Sequence, residues 1–300
     1  MLDRLRRSIP LCLFLLAGAS VAGPSVRDDA GNTITLAAAA RRVVSLSPHV
    51  TELLFAAGSG ERVVGTMNFS DYPEAAKAIP VIGSNSQIDM ERLVALKPDL
   101  IIAWQSGNTA RQLEQARSLG IPVFMSEPKK LDDVATSLER FGQLLGNEAP
   151  ARAAAQDFRQ RLAALAAKYG HRDPVRVFYQ IWDKPLYTLN GQHIVSDAIA
   201  LCGGQNVFAA LAVIAPSVSQ EAVLQADPEV MFGGEAHDPA DAGLNIWRGF
   251  KHLQAVRRDN LFTLGGERLT RPTPRMLDGA AMMCEKLELA RQRRRAAGVK

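Results

Sequence analysis

The chain has 300 residues, of which 47% are hydrophobic and 22% charged, and its formal net charge is +4 at pH 7. This composition is typical of a soluble globular protein that buries one large or two ordinary cores. The positive charge depends on five cations among the last ten residues, which we expect to form a solvated, frayed helix end. It therefore argues against a nucleic-acid-binding surface.

Residues 1–22 have the features of an export signal. Three arginines precede an apolar run from Ile9 to Leu16, and small residues follow up to Ala22, after which we predict cleavage. The alternative, a membrane anchor, is disfavoured because the apolar run is too short to span a bilayer core of about 30 Å. The mature chain is therefore expected to be free and exported to the periplasm.

The first half of the mature chain alternates short strands with helices. A hairpin is predicted at residues 26–36, and a helix from Leu131 to Leu145 closes the segment. Between them, core strands are predicted at Val43–Leu46, Val63–Gly65, Leu100–Ala103 and Ile121–Met125. Because the loops are short, this alternation predicts a parallel α/β lobe over residues 23–147, with sites at the carboxyl ends of its strands.

An alanine-rich stretch from about Ala149 to Tyr169 has no glycine or proline after Pro150 and predicts one uninterrupted helix. Such a helix would be about 30 Å long, enough to cross between two lobes, so we assign residues 148–170 as a linking helix. A rigid helical crossing also predicts small lobe motions on binding. Residues 171–300 repeat the alternation, including a helix at Trp247–Val256, and form the second lobe.

Two pairs of similar segments occur in the same order in the two halves. Asp89–Trp104 is echoed by Ser219–Phe232, each with a glutamate seven residues before a Pro-acid pair and an apolar strand after it. Thr51–Gly58 is likewise echoed by Ser196–Gly203. We interpret these echoes as a duplicated architecture of two similar lobes.

The two glutamates of the repeat are Glu91 and Glu221. Each lies in the first turn of its predicted helix, where a carboxylate interacts favourably with the helix dipole by less than about 1 kcal/mol. A functional interpretation is also open. Similar charges at equivalent places on two lobes would suit docking onto a symmetric basic dimer.

Two cysteines, Cys202 and Cys284, remain after the predicted cleavage. An even pair in an oxidising compartment suggests a disulfide, and neither cysteine belongs to a Cys-x-x-Cys redox motif. Two buried free thiols are the alternative. A bridge would close a loop of about 80 residues and would stabilise the chain by roughly 4 kcal/mol in the chain-entropy model.

Two α/β lobes joined by a helix leave a cleft between them, lined by strand-end loops. The candidate cleft residues are Phe69, Tyr72, Trp104, Trp182, Tyr187, Glu267 and Arg271. Several aromatic side chains at strand ends could form a platform for a large, flat, partly apolar ligand. Any one of them could instead anchor its loop.

Catalytic and metal-binding motifs are scarce. The chain has no Gly-x-Ser-x-Gly elbow, Walker loop or His-Glu-x-x-His motif, and its five histidines have no ligand spacing. His49 is the best placed histidine, in the first strand-to-helix loop, and Tyr72 could ligate a haem iron. For both residues a structural role, as a helix-start histidine and as a residue of a Tyr-Pro turn, is the favoured interpretation. We therefore expect neither an enzyme nor a resident cofactor or metal.

Several segments of the chain resemble the periplasmic cobalamin-binding proteins of bacterial ABC importers. These segments are Val43–Pro48, Thr51–Leu53, Ser70–Pro73, Glu91–Leu100, Ala103–Asn108, Cys202–Phe208, Val218–Glu221 and Thr273–Arg275. The resemblance covers nearly all of the mature chain. The wider class to which these proteins belong binds cobalamin, haem and iron-siderophores.

The resemblance implies a class III binding protein, with two Rossmann-like lobes joined by a single long helix. Such a protein would act as a periplasmic monomer that captures cobalamin or a related corrinoid and delivers it to an inner-membrane ABC permease dimer with its ATPase. The alternative ligand in the same class is haem or a ferric siderophore, with Tyr72 or His49 as iron ligand.

The resemblance also implies roles for single residues. It places Glu91 and Glu221 against arginines of the permease dimer, and it pairs Cys202 with Cys284 in a disulfide. The implied pocket residues are Phe69, Trp104, Tyr187, Glu267 and Arg271.

Three positions depart from the family. Asn85 and Ala215 stand where it has tryptophan, and Ile181 stands where it has phenylalanine. Each lost aromatic face removes about 1–3 kcal/mol of contact, which leaves the exact ligand open. Trp182, next in the sequence, could compensate for the change at Ile181.

Overall fold

The computed structural model describes residues 23–84, 87–234, 243–265 and 268–298. The predicted export signal at residues 1–22 lies outside these ranges, as do Asn85 and Glu267. Within the described ranges, none of the helices is both long enough and apolar enough to cross a membrane.

The N-terminal lobe begins with a hairpin and continues as alternating strands and helices. Its strands are β1 Ser25–Arg27, β2 Thr33–Thr35, β3 Val43–Ser45, β4 Val63–Gly65, β5 Gly83–Ser84, β6 Gln87–Ile88, β7 Leu100–Trp104 and β8 Val123–Ser126. Its helices are α1 Pro48–Ala56, α2 Met90–Ala95, α3 Ala110–Ser118 and α4 Leu131–Leu145.

The main sheet of this lobe has the order β4-β3-β7-β8, and all of its pairings are parallel. Alternate residues face opposite sides, so Val43 packs with α1 and α4 whereas Val44 packs with α2 and α3. Helices on both sides explain why these strands read as continuous apolar runs.

A single helix, α5 at Glu148–Tyr169, follows the first lobe. Its 22 residues give a length of about 33 Å. Arg159 binds Glu139 of α4 at 2.6 Å, and Arg161 binds Asp278 of the C-terminal lobe at 2.5 Å. The helix is therefore held by ion pairs on both of the lobes that it joins.

The C-terminal lobe repeats the design of the first. Its strands are β9 Val175–Gln180, β10 Trp182–Asp183, β11 Leu186–Tyr187, β12 Gly204–Asn206, β13 Val230–Gly233 and β14 Leu261–Thr263. Its helices are α6 Ile194–Leu201, α7 Gln220–Ala226, α8 Gln254–Arg257 and α9 Met276–Ala296.

The second main sheet has the order β12-β9-β13-β14 and is again all parallel, so each strand has an equivalent in the first lobe. The equivalent helices α1 and α6 are each followed by a glycine in the left-handed region, Gly58 with φ 72° and Gly203 with φ 71°. The predicted duplicated α/β fold with a linking helix is confirmed.

Two local predictions were wrong. The helix expected at Trp247–Val256 is instead a 3₁₀ turn at Gly243–Trp247, followed by turns and the short α8. Trp247 is fully buried and its Nε1 donates to Gln180 at 2.7 Å, which anchors the turn in the core. Strand β12 was missed because Gly204–Asn206 has no apolar residue, and it is held at the sheet edge by backbone pairing with β9.

The prediction of a frayed basic tail was also wrong. Helix α9 continues to Ala296, and Arg291 is buried, where it donates to the backbone oxygens of Asp173 and Cys202, both at 2.7 Å. Arg294 binds Glu229 at 3.2 Å. These arginines therefore fix the end of α9 against the C-terminal lobe.

A disulfide joins Cys202, at the end of α6, to Cys284 in α9. The two Cα atoms are 4.7 Å apart and the two residues are separated by 82 positions in the sequence. The prediction of a structural bridge is confirmed, and the alternative of two free thiols is excluded.

Replacing both cysteines by alanine is expected to lower the free energy of unfolding by about 4 kcal/mol, because the unfolded chain regains the freedom of a long loop. Urea unfolding of the oxidised wild type and of the Cys202→Ala/Cys284→Ala variant measures this difference. A loss below about 1 kcal/mol would show that the bridge does not constrain the unfolded chain.

Candidate functional site

The carboxyl ends of both parallel sheets meet at the boundary between the lobes. A narrow cavity of about 20 Å³, room for a single water molecule, lies there and is lined by both lobes. Its lining residues are Trp104, Glu127, Pro128 and Lys129 from the first lobe and Gln192, His193, Ile194, Ile214, Thr270 and Pro272 from the second. The lobes therefore touch at the base of the cleft.

Trp104 ends the central strand β7 and is half-buried in this cavity wall. Its backbone N–H donates to the side chain of Asn108 at 2.7 Å, and Asn108 in turn donates to the backbone oxygen of Leu46 at 3.1 Å. A Cβ atom at Gly107 would lie 1.8 Å from the indole, so only glycine leaves room for the ring. These contacts fix Trp104 where the cleft narrows.

His49 lies directly behind Trp104, with the two rings edge to face at 5.6 Å. Its Nδ1 is 2.6 Å from the hydroxyl of Ser47 and its Nε2 is 3.4 Å from that of Ser126. Burial, together with a smaller contribution from the charge of Arg271, lowers the pKa of His49 to about 3. The imidazole is therefore neutral at pH 7 and engaged at both nitrogens, which favours the structural interpretation over a role as iron ligand.

Phe69 lies in the loop after β4 and is the most exposed large apolar side chain in the described ranges, at 74%. Its backbone has φ 67°, a left-handed conformation that bulky residues rarely adopt. Strain of this kind costs about 1–3 kcal/mol and is commonly found at functional sites. The loop therefore holds an aromatic ring toward solvent at an energetic cost.

Tyr72 follows in the same loop and is about half exposed. The guanidinium carbon of Arg275, from the other lobe, lies 3.8 Å from the centroid of its ring. This cation–π contact occupies one face of the phenol, so the ring serves as a contact between the lobes.

Trp182 and Tyr187 form an aromatic pair in the second lobe. They face each other directly across the short antiparallel ladder of β10 and β11, and both are more than a third exposed. Directly opposed residues of such a ladder share one face, with their Cβ atoms about 5 Å apart. The indole Nε1 also donates to the backbone oxygen of Lys184 at 3.1 Å, which orients Trp182.

Two of the departures from the family pattern are adjacent to this pair. Ile181 packs against the main core, away from Trp182. Ala215 is exposed, and Ser217, two residues on, bridges Tyr187. At this position the methyl group of alanine offers far less contact area than a tryptophan ring.

Arg271 is buried where the lobes meet, and sequence reasoning missed its partners. Its Nη1 donates to Glu52 of α1 at 3.1 Å and to Asp71 at 2.9 Å. Glu52 is separated from it by 219 positions, so no local pattern identifies the pair. One sequence feature could have indicated this ion pairing: two arginines, Arg271 and Arg275, lie four positions apart just before α9.

Glu91 and Glu221 occupy equivalent places. Each is exposed and is the second residue of its helix, after the caps Asp89 and Ser219, whose side chains accept backbone bonds at 2.9 and 3.1 Å. The backbone N–H of Glu221 and the Ser219 hydroxyl hold the pKa of the Glu221 carboxyl below its usual range. Because α2 and α7 run back into β7 and β13, both glutamates lie at the carboxyl edges of their sheets.

In the part of the chain that the structure describes, no group of three or more His, Cys, Asp or Glu side chains is placed to hold a metal ion. Exposed aromatic side chains lie in the loops that follow the strands of both lobes, at Phe69, Tyr72, Trp182 and Tyr187. This arrangement suits the binding of a flat, partly apolar molecule between two lobes.

Comparison with known proteins agrees with this geometry. The model of the family "Periplasmic binding protein" matches residues 43–267. The vitamin B12-binding protein of Vibrio cholerae is 40% identical over 254 residues, which cover 84% of this chain and 91% of that protein. That of Yersinia pestis is 38% identical over 251 residues, covering 84% of this chain and 88% of that protein.

Two solved structures give the same result. The crystal structure of the periplasmic vitamin B12 binding protein BtuF of Vibrio cholerae has a TM-score of 0.78 and 40% identity, and the match covers 84% of this chain and 98% of that one. The periplasmic heme-binding protein RhuT of Roseiflexus has a TM-score of 0.69 over 83% of this chain and 99% of that one, and at 24% identity it shows the fold alone.

The burial of His49 predicts a pH effect on stability. The unfolded chain binds a proton on this residue below about pH 6.5, whereas the folded protein does so only near pH 3, so stability falls as the pH drops through this interval. Between pH 7.5 and 5.0 the wild type should lose about 2 kcal/mol more than a His49→Gln variant. Urea unfolding at both pH values measures the difference.

The exposed His171 provides the matched control, because His171→Gln should keep the full pH dependence of the wild type. Equal losses for the wild type and His49→Gln would show that His49 is protonated in the folded protein.

Proposed function

Because the chain belongs to the periplasmic binding protein family, we propose that it captures cobalamin or a related corrinoid in the cleft and delivers it to an inner-membrane ABC permease dimer. The permease would work with its ATPase. Membership of this family makes the protein a periplasmic transport protein rather than an enzyme. Its relatives named vitamin B12-binding proteins support the choice of ligand.

The observation that carries the proposal is the presence of exposed aromatic side chains at the strand ends of both lobes. Trp182 and Tyr187 form a paired surface on one lobe, and Phe69 and Trp104 project from the other. Each such ring buries about 150–250 Å² when covered. A corrin ring is broad and flat enough to contact both lobes at once. Its shape and apolar area therefore suit the aromatic side chains of the cleft.

Single positions refine this proposal. We infer that Trp182 supplies the aromatic contact that Ile181, packed into the core, does not provide. With alanine in place of tryptophan, position 215 would admit a bulkier substituent at the edge of the ring. Arg271, which is held in ion pairs, would contribute through its charge at the cleft base. Glu267, four positions earlier in the sequence, is proposed as a second charged contact to the ligand.

Haem and ferric siderophores fit the site less well. His49 is buried and neutral behind Trp104, so it is withdrawn from the cleft, whereas the half-exposed Tyr72, with one ring face covered by Arg275, keeps the haem alternative open to test. An iron ligand needs an accessible donor atom that faces the cleft. These contacts support a corrinoid as the ligand.

The exposed Glu91 and Glu221 support docking to the permease. Equivalent positions on two similar lobes give two negative charges related by pseudo-twofold symmetry, which suits a symmetric dimer with basic patches. We propose that a monomer of the binding protein docks through both glutamates. Ligand and permease would then contact different residues of the same segment, Asp89–Trp104.

We also propose a role for each segment of the chain. Residues 1–22 would direct export and be removed, residues 23–147 and 171–300 would act as the two binding lobes, and residues 148–170 would join them. The ligand is transported cargo, and no cofactor enters the proposal.

The mature protein is expected to bind cyanocobalamin tightly and hemin weakly, as followed by absorbance titration. Replacing the aromatic pair, Trp182→Ala/Tyr187→Ala, should weaken cyanocobalamin binding at least tenfold, which corresponds to about 1.4 kcal/mol. Val94→Ala, at an exposed apolar residue of α2, should leave the affinity unchanged. Failure to bind any corrinoid below about 10 µM would contradict the proposal.

Reversing both exposed glutamates, Glu91→Arg/Glu221→Arg, should abolish corrinoid uptake by cells while leaving the affinity of the isolated protein unchanged. The reason is that like charges would then face each other at the docking surface. Glu61→Arg/Glu114→Arg, at two other exposed glutamates, makes the same change in net charge and serves as the control. Normal uptake with the doubly reversed protein would refute the docking role.

A further inference from the structure

A cluster of charged side chains joins the two lobes beneath the cleft. Glu52 in α1 is only 3% exposed, and its Oε1 accepts hydrogen bonds from Arg271 at 3.1 Å and Arg275 at 2.5 Å. Its Oε2 accepts a third, from Nε of Arg275 at 3.0 Å. Both arginines come from the loop between β14 and α9. We call Glu52, Asp71, Arg271 and Arg275 the interlobe ion cluster.

Because the interlobe ion cluster is buried, breaking its hydrogen bonds is energetically costly. A carboxylate without a partner is strongly unfavourable in the interior, whereas here three N–H groups from two guanidiniums satisfy Glu52. The two bonds from Arg275 use the planar fork of its guanidinium, which fixes the angle of approach. Separating the lobes at this point would leave the buried Glu52 and Arg271 without each other.

The same arginines hold the loop that carries Phe69. Arg271 binds Asp71 at 2.9 Å, and Arg275 covers the ring of Tyr72 at 3.8 Å. Asp71 and Tyr72 lie two and three residues after Phe69, whose exposed ring stands on left-handed backbone. The position of this ring therefore depends on groups from the opposite lobe.

We propose that Glu52 is a positioning residue for ligand capture. By holding Arg271 and Arg275, it sets the separation of the lobes and, through Tyr72 and Asp71, the position of Phe69 at the cleft. The effect on ligand binding rests on the function proposed above, whereas the effect on the loop does not depend on any ligand. Glu52 itself, buried in α1, acts through these partners.

A second bridge between the lobes provides a matched control. Asp197 of α6 accepts hydrogen bonds from Nζ of Lys130 at 3.0 Å and from the backbone N–H of Leu131 at 2.8 Å. This bridge also crosses between the lobes, but it ends at the start of α4 rather than at the loop after β4. Lys130→Met thus removes an interlobe ion pair without removing a contact to Tyr72.

The first test measures amide hydrogen exchange in the loop at residues 68–72. Glu52→Gln, which keeps the shape of the side chain but removes the charge that holds both arginines, should speed exchange there several-fold. Arg275→Met, which also uncovers Tyr72, should speed it at least as much. Arg275→Lys keeps the charge without the planar fork and should give an intermediate result. Lys130→Met should match the wild type.

The second test measures the release of cyanocobalamin by stopped flow. Arg275→Met should raise the dissociation rate constant about tenfold, and Lys130→Met should leave it within about twofold of the wild type. Should Arg275→Met fail to fold, Asp71→Asn, at a half-exposed partner of Arg271, releases the other tether of the loop and takes its place in both tests.

Unchanged exchange in Glu52→Gln, or an equal change in Lys130→Met, would overturn the positioning role. If the wild type does not bind cyanocobalamin, the proposed function fails, and the exchange comparison alone decides the role of Glu52. If the wild type binds but release is the same in all variants, the link from the cluster to ligand capture is refuted while the proposed function stands.

Discussion

A parallel sheet gathers the loops that follow its strands at a single edge, and both lobes of this protein are built on that constraint. Trp104 follows from the end of β7, and the pair Trp182 and Tyr187 follows from the end of β9. The long helix α5 and the interlobe ion cluster then hold the two edges together. The position of the cleft therefore follows from the parallel direction of the strands. The aromatic side chains lie in the loops at the carboxyl ends of those strands.

Two of the aromatic groups in the first lobe are held in place by polar or charged neighbours. Trp104 rests on His49 and on the backbone at Gly107, and the loop of Phe69 is held by arginines from the opposite lobe. Aromatic rings lose little conformational freedom on binding when they are already fixed. Preorganisation of this kind agrees with lobes that are braced by two separate polar bridges, at Glu52 and at Asp197.

Local patterns in the sequence predicted those features that depend on local chemistry. The helix α4 with Gly146 at its end, the helix α5 without breakers, and the paired echoes around Glu91 and Glu221 were all accessible from spacing and capping. Strand β12 was not accessible, because an edge strand of polar residues is held by backbone pairing alone. The turns near Trp247 were likewise set by burial of a single indole.

The charged contacts between distant segments were the least predictable features. The pairing of Glu52 with Arg271 and the burial of Arg291 join residues from opposite ends of the chain, and a charged residue is more often solvated. Only the folded arrangement brings such groups within reach. The pairing of Glu52 with Arg271 also joins one lobe to the other.

The central claim is that exposed aromatic groups from both lobes capture one corrinoid between them. A crystal structure of the mature protein with cyanocobalamin tests it most directly. The account predicts a corrin ring in contact with Trp182 and Tyr187 on one side and with Phe69 on the other, with Glu52 still bound to Arg275. A corrinoid that contacts one lobe alone, or lies outside the cleft, would contradict it.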